Sequence, residues 1–164
     1  MNTEKLFAIQ ETLDQHMESA LQLQKEALLE QKTLSFLIKL GTLANIADCC
    51  HYGDAKKEAA PKTKLMEEYV AGFRFILSIG IESEFQTEAS NEVRIYIPEK
   101  DLTKQFLYVF EAASLFRVKK SLEIYKVFYL NYLHLGTLLG FSGEEVEKVY
   151  LSQYEESMKA EQKV

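Results

Sequence analysis

Apolar residues recur at three- and four-residue intervals along almost the whole chain, and only two prolines and seven glycines interrupt its 164 residues. That spacing belongs to helices with one buried face, and the shortage of turn residues leaves little room for a strand-rich fold. Hydrophobic residues make up 47% of the chain, enough for a real core, which sets aside disordered and fibrous classes. At about 150 residues per domain the length makes a single domain, residues 1–164. The expected fold is all-α, a bundle of about six helices.

The first helix is predicted over 3–23, with Leu6, Ile9, Leu13, Met17 and Leu21 on one face and Asn2 or Thr3 as its cap. A second, over 25–51, carries Leu34, Phe36, Leu37, Leu40, Leu43, Ile46 and Ala47 on a broad apolar face. Gly41 lies within that face; a helix-interior glycine costs ~1 kcal/mol relative to alanine, so it is read as a close helix crossing. Residues 52–62, with Gly53, Asp54 and Pro61, form a polar loop. The third helix, over 63–84, buries Leu65, Tyr69, Val70, Phe73, Ile76 and Leu77. In a second break, 86–98, the run Val93–Ile97 alternates like a strand but lacks a partner, and reads as an extended loop. Asp101 caps a fourth helix over 101–117, and an aromatic-rich fifth covers 119–139. Ser142 and Glu145 form a capping box for the last helix, which runs to about 160. Leu40-Gly41-Thr42-Leu43 recurs as Leu135-Gly136-Thr137-Leu138, which predicts equivalent crossings at the two glycines.

Nineteen Lys and Arg against 25 Asp and Glu give a net charge of −6, which argues against a nucleic-acid backbone as partner. An acidic protein still holds an anionic nucleotide when clustered carboxylates bind Mg²⁺ and the metal holds the phosphates. Two adjacent cysteines, Cys49 and Cys50, make no disulfide framework and point to a reducing compartment. The start of the chain reads as an amphipathic helix rather than a signal peptide, and no run of about 18 uncharged apolar residues spans a membrane. A cytoplasmic protein is expected. Cys49-Cys50-His51 lacks the ligand number and spacing of a zinc site. There is no glycine-rich phosphate loop, and Ser35 and Ser78 have no His or Asp at a helpful spacing for nucleophilic catalysis. Nine Tyr and ten Phe, many of them in 106–132, read as core and dimer interface rather than as a base-stacking platform.

The most informative string is Leu65-Met66-Glu67-Glu68-Tyr69-Val70-Ala71-Gly72-Phe73-Arg74-Phe75-Ile76-Leu77-Ser78-Ile79-Gly80. It resembles the dimeric dUTPase family, among the all-α NTP pyrophosphohydrolases of the MazG-like superfamily, whose version runs E-E-Y-V-D-x-x-H-F-x-L-S-x-G. Leu40-Gly41-x-Leu43-Ala44-Asn45 with Cys49 is similar to the family's E-L-G-E-L-A-N-E-W-x-C-F-K, and Gln10-x-x-Leu13-Asp14 to its Q-x-x-L-D. Asp101-Leu102-Thr103 and Leu135-Gly136…Leu139-Gly140-Phe141 fit its later helices, so the resemblance covers nearly the whole chain in order.

The resemblance implies a homodimer, with the fourth and fifth helices contributing, and a site in which E-x-x-E and E-x-x-D on facing helices hold Mg²⁺. Such ions neutralise a triphosphate and activate the attacking water. Here the first pair of positions holds Lys39 and Thr42, the second keeps Glu68 but has Ala71, and the family histidine is Arg74. Formal charge at the quartet falls from about −4 to zero, and a cation stands where a metal needs an oxygen ligand. Glu68, the one retained metal-ligand position, is insufficient alone, and no catalytic residue is assigned. The family's C-terminal K-N-x-x-N-x-x-R aligns near Gln153–Ala160 without its key residues. Gln10 stands at a position implicated in base recognition, or is simply a surface helix residue.

Three readings follow. The first is an inactive homologue acting as a scaffold, regulator or partner-binding dimer, with no cofactor. The second is an active Mg²⁺-dependent dUTP or dNTP pyrophosphohydrolase with a metal site rebuilt from acids such as Glu67, Glu68, Glu18, Asp48 or Glu144. The third is a nucleotide binder without hydrolysis. The substitutions also predict that Lys39 and Glu68 pair across the helix crossing, with Arg74 as a second partner for Glu68.

Overall fold

A computed structural model of the chain describes residues 1–21, 25–49, 52, 58–89 and 99–161. Among these residues there are six long helices and a single helical turn: α1 (Thr3–Leu21), α2 (Lys25–Ile46), α3 (Lys62–Glu82), the short α4 (Gln86–Ala89), α5 (Leu102–Lys119), α6 (Leu122–Leu138) and α7 (Gly143–Glu161). Among the described residues there is no strand, and no helix is long and apolar enough to cross a membrane.

Four of the helix starts are held by side-chain caps. Asn2 Oδ1 accepts from Lys5 N at 3.1 Å, Asp101 Oδ1 from Lys104 N at 2.9 Å, and Ser121 Oγ from Ile124 N at 3.4 Å. At α7 the box closes both ways: Ser142 N donates to Glu145 Oε2 at 2.8 Å and Glu145 N to Ser142 Oγ at 3.2 Å.

The structure differs from the expectation at three points. α2 stops at Ile46 rather than running to 51, because Asp48 takes a left-handed φ of 53° that a continuing helix does not allow. The break after α3 contains the turn α4, while the Val93–Ile97 run lies outside the described residues, as do Cys50 and His51. Leu34 is turned away from the core, 60% exposed. Cys49 is half-buried, its Sγ 3.6 Å from Ala44 O.

α3 is the central helix, packed against α1, α2, α4, α6 and α7. Its junction with α6 is a reciprocal lock. Tyr69 Oη donates to Tyr132 O at 3.1 Å, and Tyr132 Oη donates to Tyr69 O at 2.7 Å. The two rings stack with centroids 4.6 Å apart. Each phenol reaches the opposite backbone because a glycine leaves room for it, Gly136 for Tyr69 and Gly72 for Tyr132. A buried hydroxyl without a partner would cost roughly 1–3 kcal/mol, so these bonds let two large rings enter the core at no polar penalty. Phe36 of α2 completes the cluster edge-on to Phe128 and Tyr132. Gly41 has no such role: a Cβ there would meet nothing within 4 Å. The predicted crossing is therefore present at Gly136 and absent at Gly41.

Candidate functional site

Of the positions singled out by the resemblance, Gln10, Lys39, Ala71 and Arg74 come together where α1, α2 and α3 meet. A cavity of about 420 Å³ there is lined by Gln10, Asp14, Lys32, Lys39, Ala71 and Arg74, with Met17, Leu28 and Phe75 as apolar wall. Residues 68, 71 and 75 recur at helical three- and four-residue steps, which puts them on one face of α3. Thr42 and Glu68 are outside this lining; Thr42 is exposed and its hydroxyl donates to Ile38 O at 3.0 Å.

Lys39 and Glu68 form the predicted pair, with Nζ 3.2 Å from Oε2. Arg74 behaves otherwise. It is half-buried and has neither ion pair nor hydrogen bond to a described residue, so it is not the second partner of Glu68.

Gln10 is no surface residue, being only 4% exposed. Its Nε2 donates to Asp14 Oδ1 at 2.7 Å, and its Oε1 accepts from Tyr150 Oη at 2.7 Å. Asp14 in turn accepts from Ser78 Oγ at 2.5 Å. Burial pushes the Tyr150 phenol up, while the nearby Arg74 guanidinium pulls it down. Tyr150, Gln10, Asp14 and Ser78 are thus one chain of polar groups tying α7, α1 and α3 together.

That chain ends on Lys32, which no sequence pattern had marked. Its side chain is 11% exposed, and its ammonium lies 2.9 Å from Glu82 Oε2, 3.0 Å from Glu18 Oε1 and 3.5 Å from Asp14 Oδ2. Burial lowers the affinity of Lys32 for its proton, but hydrogen bonding to Glu82, the charge of Asp14 and hydrogen bonding to Glu18 outweigh it, and the net shift is upward. The one sequence signal was the spacing of Asp14 and Glu18, four apart on the same face of α1.

The residues present do not fit a divalent metal at the family position. Lys39 brings a positive charge, Ala71 a methyl group, and the carboxylate of Glu68 is engaged by an ammonium. Of the acids considered for a rebuilt site, Glu18 is held by Lys32, Glu67 lines an outer cavity between α3 and α7, and Glu144 stands in the first turn of α7. Among the described residues no group of three or more His, Cys, Asp or Glu is placed to hold a metal ion.

The outer cavity, about 820 Å³, is lined by Lys62, Glu67, Arg74, Glu145, Lys148 and Glu156 among others. Arg74 is common to both cavities and marks their junction.

A family model described as dUTPase matches residues 2–163. No curated protein and no solved structure matches the chain.

Proposed function

Since the chain belongs to the dUTPase family, with its all-α NTP pyrophosphohydrolase fold, we propose that it is a member that has given up metal-dependent hydrolysis and acts as a scaffold, regulatory or partner-binding homodimer. A cytoplasmic, reducing setting is part of that reading, since the two cysteines stand side by side. The observation that carries the proposal is the Lys39–Glu68 ion pair at 3.2 Å. Mg²⁺ is held by near-octahedral oxygens at about 2.0–2.1 Å and sheds its waters reluctantly. An ammonium bound to the one remaining carboxylate competes for that oxygen and repels the incoming ion.

The test is a calorimetric titration with Mg²⁺ and Mn²⁺, followed by an assay of pyrophosphate release from a panel of deoxynucleoside triphosphates. The proposal expects neither saturable metal binding nor turnover. Metal binding with turnover would overturn it in favour of an active pyrophosphohydrolase with a rebuilt site.

A further inference from the structure

We propose that the junction of the two cavities is a metal-independent anion site, anchored by the Arg74 guanidinium, that takes a small phosphate monoester with its apolar body in the α1–α2–α3 cavity. The inference rests on the reading above, because an anchor for phosphate must be a side chain where no metal is held. Three observations carry it.

Arg74 is the half-buried cation of the inner cavity without a carboxylate: Lys32 has three and Lys39 has one, whereas Arg74 has neither ion pair nor hydrogen bond to a described residue. Removing a cation from water is costly until it is paired, and a guanidinium offers a fork of donors that matches phosphate oxygens bidentately. Beside it, Met17, Leu28, Ala71 and Phe75 make an apolar wall in a space of about 420 Å³, a size usual for small-molecule sites. Outward from Arg74, the second cavity carries Glu67, Glu145 and Glu156 against Lys62 and Lys148, with Lys62 and Glu145 paired to each other. That mixed lining offers a polyphosphate chain no unopposed run of cations, which favours one compact anionic head.

The experiment is a calorimetric titration of the full chain with phenyl phosphate in EDTA, with inorganic phosphate and phenol as separate titrants. Saturable binding of phenyl phosphate, one per chain and tighter than either fragment, is expected. Arg74→Gln weakens it by about tenfold or more. Ala71→Phe, which fills the inner cavity, weakens phenyl phosphate by a similar factor and leaves inorganic phosphate unchanged. Melting curves of both variants check folding. No saturable binding in EDTA, or unchanged affinity in Arg74→Gln, overturns the site. Turnover of triphosphates with Mg²⁺ would instead sink the metal-free reading, so the two failures are told apart.

Discussion

Gly136 gives up its side chain so that the Tyr69 phenol can lie against the α6 backbone; a Cβ built there falls 2.5 Å from Tyr69 Oη. Overpacking of this kind costs about 1–3 kcal/mol, so Gly136→Ala is expected to destabilise by that amount in urea unfolding. Gly41 sits in the matching Leu-Gly-Thr-Leu string but faces open space. Gly41→Ala should therefore stabilise by about 0.5–1 kcal/mol, the helix-propensity gain with no clash against it. A four-residue string records local sequence, and what surrounds it is decided by residues far along the chain; hence the repeat predicted one crossing truly and one wrongly. Lys39 is a different case. Its pairing with Glu68 was legible because the resemblance placed a lone carboxylate opposite a lone cation. Exchanging Lys39→Glu, Thr42→Glu and Ala71→Asp together returns the charge at the four positions to about −4. The triple variant should bind Mn²⁺ in calorimetry and melt higher with it than without. Turnover is not expected to return, because the C-terminal residues that the family resemblance implies at the phosphates are also replaced. A variant that folds and shows no metal response would mean that four carboxylates at these positions do not share an ion.

α1, α2 and α3 are joined by Lys32, and its removal tests that joint. Taking one partner from a buried ion network costs about 3–5 kcal/mol, because the remaining charges are left facing each other. Lys32→Met should lose stability on that order in urea unfolding at neutral pH, with part regained by adding Glu82→Gln. Little of this was readable beforehand: a lysine inside an amphipathic pattern looks like any solvated lysine until the helices that surround it are known. The start of α7 was legible, because a capping box is purely local. There the Lys62 ammonium, at 2.8 Å, and the Ser142 N–H hold the Glu145 carboxyl down at about 2, from an ordinary 4.5. A depressed carboxyl contributes stability that is complete above its unfolded pKa and is lost as pH falls through the folded one. Acid should therefore erode this contribution between about pH 5 and pH 2, and Glu145→Gln should flatten that part of the urea-midpoint profile. An unaltered slope would show that the box and the α3–α7 bridge add nothing to the fold. The end of α2 was not legible in the same way, since a left-handed Asp48 carries no mark in the sequence that a helical aspartate lacks.

At the scale of the molecule, the acidic balance of −6 does not gather into a metal cluster among the described residues; its buried share is spent on Lys32 and its surface share on caps and solvent. The all-α class followed from periodicity alone, because a period close to 3.6 leaves few alternatives. The apolar surface of α5 was harder to read, since core and interface residues share one composition. Leu107, Leu115 and Val118 are 54%, 48% and 64% exposed. They fall at steps of eight and three, along one stripe of the helix. Single exposed hydrophobics are ordinary, but a stripe that continues for three turns is the usual mark of a covered surface. With the homodimer as the proposed occupant, light scattering should give twice the chain mass of 18.9 kDa. Leu115→Lys places a charge at the centre of the stripe and should shift the protein to monomer. Because Leu115 is half exposed, the fold of one subunit should survive, so the circular dichroism of the variant is expected to match that of the parent. A parent that already runs at one chain mass, or a Leu115→Lys variant that stays dimeric, would place any dimer contact elsewhere than on α5.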